Sequence, residues 1–213
     1  GGVRRSAMIS LSNLSDDRMR HAKSGNWWET APHRALANNS VSYTEKPDME
    51  TFLREWTALV ESKSGERGIF NRQASKKQAA KNGRRDTEWE FGTNPCSEII
   101  LRPYQFCNLS EVVVRATDDL KSLSNKVRLA TIIGTLQSSL TKFPYLRKVW
   151  QTNTEEERLL GVSLTGIMDN PLLTAKNKGL AQTLDHLRLV AVDTNKEWSE
   201  RLGVQQSTAI TCV

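Results

Sequence analysis

The stretch TNPCSEIILRPYQFCNL, Thr93–Leu109, holds two of the three cysteines in a chain of 213 residues. Cys96 and Cys107 stand eleven positions apart, and Cys96 follows Asn94 by two residues and precedes Glu98 by two. In an extended segment, residues at i and i+2 share a face. On that reading an amide, a thiol and a carboxylate address one ligand. Pro95 lacks an N–H and restrains the backbone entering the thiol. The trio suits redox or radical chemistry on a hydroxylated substrate: the thiol reacts, the carboxylate takes a hydroxyl proton, and the amide orients the same edge. A neighbouring carboxylate disfavours a thiolate nucleophile. It does not disfavour a thiol that loses a hydrogen atom.

Cys107 is the candidate second redox group. Two β-like runs, Glu98–Leu101 and Phe106–Arg115, flank RPYQ, where Pro103 suits a turn. A simple hairpin there places Cys107 opposite Ile100 rather than Cys96. Both sulfurs can face one site only if the backbone around Cys96 leaves the ladder as a loop. On chemistry alone two readings stay open, a redox pair and two small buried hydrophobes. The absence of CxxC spacing and of a nearby histidine argues against a zinc site, and no metal is expected.

Composition narrows the class. A hydrophobic fraction of 38% and a charged fraction of 25% describe a globular protein, and no apolar run reaches the length of a membrane span. The first residues, GGVRRSAMISL, carry neither a signal-peptide core nor an initiator methionine. The chain is therefore expected to be an internal piece of a longer polypeptide. Three cysteines are too few for a disulfide scaffold, which favours a reduced, cytoplasmic setting. A net charge of +6 favours anionic partners, although a solvated basic face has the same signature.

Periodicity predicts alternating helices and short strands, an α/β chain. A helical turn is expected over Asp16–Lys23, and loop from Asn26 onward to a short strand near Val41–Tyr43. A helix opening at Pro47 carries Met49, Phe52, Leu53, Trp56, Leu59 and Val60 on one face and stops at Gly65. Gly68–Arg72 reads as a strand or turn. Residues 72–92 are cationic and weakly periodic, a peripheral helix or loop. A long helix over Asp118–Leu140 presents Leu120, Leu123, Val127, Ile132, Ile133, Leu136 and Leu140. Thr154 and Glu157 fit a capping box ahead of Leu159, Leu160 and Leu164. The last helix spans Thr174–Leu202, followed by a strand-like STAITCV.

Five segments, taken together, are similar to one family. NPCSEI followed by FCNLSEV resembles the active-site segment of ribonucleotide reductases. GGVRRSA (Gly1–Ala7), ANNSV (Ala37–Val41), SGERGIFNR (Ser64–Arg72) and EEERLLGVSLTGIMD (Glu155–Asp169) agree in the same order. The Asn-Pro-Cys form and the cysteine spacing resemble the adenosylcobalamin-dependent, monomeric (class II) type that acts on ribonucleoside triphosphates. The resemblance implies that residues 1–213 are the central part of a ten-stranded α/β barrel threaded by a finger loop. It implies a thiyl radical on Cys96, a proton acceptor in Glu98, a ribose-binding amide in Asn94, and one half of a redox-active pair in Cys107. Gly1, Gly2, Arg4 and Arg5 would belong to the loop linking a deoxynucleotide effector to the substrate. Adenosylcobalamin would be the cofactor, and a thioredoxin-type protein the reductant. Cys212 reads as structural.

The family's other redox cysteine, its phosphate loop and its C-terminal cysteine pair have no counterpart in these residues. Flanking segments of the same reductase are thus expected partners, and the isolated chain is expected to be inactive. Two other readings compete. A class I-type large subunit would take its radical from a separate subunit. A basic nucleic-acid-binding module would use Lys76, Lys77, Lys81, Arg84 and Arg85, which lack an accompanying aromatic pattern.

Overall fold

Strands and helices alternate through the described residues, 8–63, 67–81, 83 and 85–211, of the computed structural model. They form two compact units, Gly1–Pro103 and Tyr104–Val213. Gly1, Gly2, Arg4, Arg5, Gly65, Arg84 and Cys212 lie outside the described residues.

The first unit is built on a parallel sheet of β1 (Met8–Ser12), β2 (Ala37–Tyr43) and β3 (Gly68–Asn71), with β2 central. The register sets Met8 beside Ala37 and Ser40 beside Gly68. Parallel neighbours require crossovers. Short helices α1 (Asp17–Arg20) and α2 (Trp27–Thr30), with a 3-10 turn at Pro32–Leu36, make the first; α3 (Met49–Ser62) makes the second. Strand β2 begins four residues earlier than its apolar content predicts, because β1 supplies ladder partners for the polar run Asn38–Ser40. α3 is capped by Asp48, whose carboxylate accepts from Thr51 N at 2.8 Å, so Pro47 sits just outside the helix. Helix α4 (Arg72–Ala80) follows β3 directly.

Only part of the expected apolar face of α3 is turned inward: Phe52 and Leu59 are half-buried. Met49, Leu53, Trp56 and Val60 face solvent, whereas Glu55 and Ala58 are buried. The reason is ionic. Glu55 accepts from Arg20 Nε at 3.0 Å and from Arg67 Nε and Nη2 at 2.5 and 2.7 Å. Arg67 Nη1 also donates to Ser12 Oγ at 2.6 Å. One carboxylate between two guanidinium forks satisfies charges that would otherwise be prohibitive to bury.

The second unit has a parallel sheet of β6 (Asn108–Val113), β7 (Leu160–Thr165) and β8 (Ile210–Thr211), with β7 central. Helix α5 (Leu120–Ser138) crosses from β6 toward α6 (Lys148–Glu157), and α7 (Leu180–Leu202) leads to β8. Val112, Val114, Leu123, Val127, Val162, Leu187 and Ala191 form its apolar core. Leu123 and Val127 point inward as expected, but Leu120, Ile133, Leu136 and Leu140 are exposed. The inner face of α5 is instead continued by Ala130, Thr131, Gly134, Thr135 and Ser138. Small residues there let the helix lie close to β7 and let Asn195 donate to Thr135 Oγ1 at 3.0 Å.

Three further expectations are corrected. Phe106–Arg115 does not pair with Glu98–Leu101: β5 (Ile100–Leu101) pairs antiparallel with β4 (Gly92–Thr93), and β6 pairs parallel with β7. Thr154 and Glu157 do not cap a new helix. They lie at the end of α6, where Thr154 Oγ1 accepts from Phe106 N at 3.2 Å and Glu157 from Gln105 Nε2 at 2.7 Å, and a strand follows. α7 begins six residues later than expected, after a 3-10 turn at Pro171–Leu173. Among the described residues no helix is long and apolar enough to cross a membrane.

Candidate active site

The short ladder β4–β5 brings Thr93 opposite Ile100, and Asn94–Ile99 must reverse the chain between them. Asn94 N donates to Ile99 O at 3.3 Å, and Ser97 N to Asn94 O at 2.9 Å. The second bond closes a β-turn with Pro95 and Cys96 at its two central positions, where the fixed φ of proline is favoured. Ser97 then takes a positive φ of 67°. The backbone around Cys96 is therefore a turn and not the extended segment assumed from the i, i+2 spacing.

The turn still gathers the three groups, by a different route. Asn94 is buried at 6% exposure. Its Oδ1 accepts from Ile99 N at 3.0 Å, and its Nδ2 donates to Glu98 Oε1. The amide is thus fixed at both ends and holds one oxygen of the carboxylate. Glu98 Oε2 is buried and has no hydrogen-bond partner among the described residues. An acceptor in that state costs free energy until a donor arrives. Cys96 stands exposed at the apex. The turn thus carries an exposed thiol and, two residues on, a carboxylate with one oxygen held by Asn94.

Cys107 belongs to the other unit. It is half-buried and immediately precedes β6. Next to it, Phe106 packs against Trp150 and Phe143, with ring centroids 4.7 and 5.0 Å away. Asn108 N donates to Leu159 O at 2.9 Å and anchors the strand after the cysteine. Gly1, Gly2, Arg4 and Arg5 fall outside the described residues. Among the described residues no group of three or more His, Cys, Asp or Glu side chains is placed to hold a metal ion.

One residue of this site carried no chemical signal in the sequence. Asn38 Nδ2 donates to the Pro95 carbonyl and so braces the Cys96 turn from β2. It lies in ANNSV, one of the five family-like segments, but 57 residues separate the two partners, and no periodicity links them.

No protein-family model matches the chain. Over its whole length it is 29% identical to the adenosylcobalamin-dependent ribonucleoside-triphosphate reductase of Lacticaseibacillus paracasei, spanning 31% of that protein. Against the enzyme of the same description from Lactobacillus gasseri the identity is 28%, again over all of this chain and 31% of the relative. The chain thus spans about a third of the length of the curated relatives it matches. A crystal structure of a B12-dependent (class II) ribonucleotide reductase superposes on 95% of this chain and 31% of its own, with a TM-score of 0.68 at 24% identity, and shares the fold. Over its whole length, then, the chain is homologous to about a third of the adenosylcobalamin-dependent ribonucleoside-triphosphate reductases.

Proposed function

We propose that the chain is the central part of the catalytic barrel of an adenosylcobalamin-dependent ribonucleoside-triphosphate reductase, in which residues 72–92 are peripheral. The two parallel βα units would supply part of the ten-stranded barrel, and the β4–β5 turn its finger loop. The observation that carries the reading is the unpartnered, buried Glu98 Oε2 in the same turn as an exposed Cys96.

Adenosylcobalamin, when bound, supplies the hydrogen-abstracting radical. An exposed thiol at a turn apex fits that chemistry, because only a side chain free of packing can be reached by a separate group. The residue of this chain that receives the radical is Cys96. Its thiyl sulfur takes the hydrogen from C3′ of the ribose. Glu98 Oε2 accepts the 3′-hydroxyl proton, and the 2′-hydroxyl takes a proton from one thiol of the reducing cysteine pair and leaves as water; the other thiol's proton goes to C2′, and Glu98 returns its own to the 3′ oxygen. Asn94, locked by Ile99 N and Glu98, orients the hydroxyl edge. Two electrons come from a cysteine pair that includes Cys107 and ends as a disulfide, and Cys96 returns its hydrogen to C3′. Closure of such a site against water protects the radical from side reactions. The loop of Gly1, Gly2, Arg4 and Arg5 would contact the deoxynucleotide effector, and a thioredoxin-type reductant would reopen the disulfide in the cytoplasm.

The test replaces the corresponding third of the L. paracasei enzyme with this chain. The chimera is expected to reduce ribonucleoside triphosphates only with adenosylcobalamin, and Cys96→Ser is expected to abolish turnover. Full activity of the Cys96→Ser chimera overturns the reading.

A further inference from the structure

Between α1, the 3-10 turn at Pro32–Leu36 and the starts of β1 and β2 lies a cavity of about 440 Å³. Arg18, Lys23, His33 and Arg34 line it, with a single carboxylate, Asp16. That carboxylate is engaged as the N-cap of α1, accepting from Met19 N at 2.9 Å. Arg34 donates to the Ala22 carbonyl, and Lys23 Nζ to the Ala37 carbonyl at 2.6 Å. A backbone carbonyl orients Arg34 without neutralising it. Among the described residues no carboxylate forms an ion pair with Arg18, His33 or Arg34. A concave wall with positive charge left over concentrates anions. Arginine forks match phosphate oxygens two at a time. The volume lies within the range of small-ligand sites and exceeds what one bare phosphate fills. Asn38 lines the same cavity and also donates to the Pro95 carbonyl in the Cys96 turn.

We propose that this cavity binds a phosphorylated small molecule and that Asn38 couples its occupancy to the position of the Cys96 turn. The residues that line it, from Ser10 to Asn39, do not include Arg4 or Arg5, the residues expected to meet the effector. The binding half stands on geometry and charge alone. Its regulatory meaning rests on the reading of Cys96 as the reactive thiol.

Two measurements on the 213-residue chain test it. Calorimetric titration uses inorganic pyrophosphate in one arm and dATP in the other. Binding is expected in at least one arm, and replacing Arg18→Gln and Arg34→Gln together is expected to weaken it roughly tenfold. Binding in both arms assigns recognition to the phosphates; binding of dATP alone adds the nucleoside. If the double variant loses its far-UV dichroism, Arg18→Gln alone carries the comparison, since that side chain is exposed and holds no fold contact. The second measurement follows alkylation of Cys96 by mass spectrometry. Saturating ligand is expected to change its rate severalfold in the wild type and to leave it unchanged in Asn38→Ala. No binding in either arm, affinity unaffected by the arginine replacements, or the same ligand response in Asn38→Ala overturns the proposal. Neither readout depends on nucleotide reduction, so the reductase reading stands or falls separately.

Discussion

Under similar parallel sheets the main helices of the two units turn different side chains inward. In the second, α5 and α7 cover β6 and β7 with Val, Leu and Ala. In the first, α3 turns a carboxylate inward and leaves Met49, Leu53, Trp56 and Val60 in solvent. Glu55 at 1% exposure and Arg67 at 2% are buried together in the first unit. An apolar core is tolerant, because its members attract one another without direction. An ion-paired core is conditional. Burial raises the cost of the Glu55 charge, and the hydrogen bonds from Arg67 and Arg20 outweigh it, so that its carboxyl titrates below the ordinary glutamate range.

The largest effect that would expose this difference is Glu55→Ala. It leaves Arg67 buried with no carboxylate partner among the described residues and Arg20 with only the exposed Asp17, and a loss of about 3–5 kcal/mol is expected. Urea denaturation gives the magnitude. Hydrogen exchange should place the lost protection in α1, α3 and β3. Leu123→Ala in the second unit is expected to cost about 3 kcal/mol through the cavity it opens, with protection lost in α5, α7 and β7. Similar exchange patterns for the two variants would break the comparison.

Gly166→Ala comes next. Gly166 has φ of 78°, and an added Cβ would stand 2.6 Å from the Val114 carbonyl oxygen. A loss of about 2 kcal/mol is expected from strain and backbone displacement, read as a lower unfolding midpoint.

Acid sharpens the contrast further. A carboxylate whose folded pKa is depressed stabilises the fold fully above its ordinary value, about 4.3 for glutamate. That contribution is lost as pH falls through the lower folded value. The stability gap between the wild type and Glu55→Gln is therefore expected to be constant near neutrality and to close below about pH 4. A gap that persists at pH 2 would show that Glu55 acts by packing rather than by charge. The smallest effect is expected on the outer face of α3: Trp56→Ser should change stability by no more than about 0.5 kcal/mol, because Trp56 is 53% exposed.

The same contrast explains what could be read from the chain. Leu123, Val127 and the aliphatic strands of the second unit announce themselves by periodicity, and the helix over residues 120–138 lies close to its predicted span. The apolar stripe of α3 has an equally clear period and misleads. The partners that bring Glu55 inside, Arg20 and Arg67, are 35 and 12 residues away. Hydrophobic pattern alone cannot weigh an ion pair that forms only after folding. The hairpin expected around RPYQ failed for a related reason: strand pairing is a choice among distant partners, and β6 found β7 some fifty residues on.

At the site, the sequence by itself determined which groups are near one another. Asn94, Cys96 and Glu98 lie within five residues, so any local backbone shape keeps an amide, a thiol and a carboxylate together, and Pro95 makes a turn favourable. Only the tertiary structure decided how they are used. The β4–β5 ladder closes the turn, burial fixes Asn94 between Ile99 N and Glu98, and Asn38 braces Pro95 from a strand far earlier in the chain. Spacing sets which atoms can meet. Hydrogen bonds and desolvation, which exist only once distant segments have packed, decide which oxygen of Glu98 is held by Asn94 and which has no hydrogen-bond partner among the described residues.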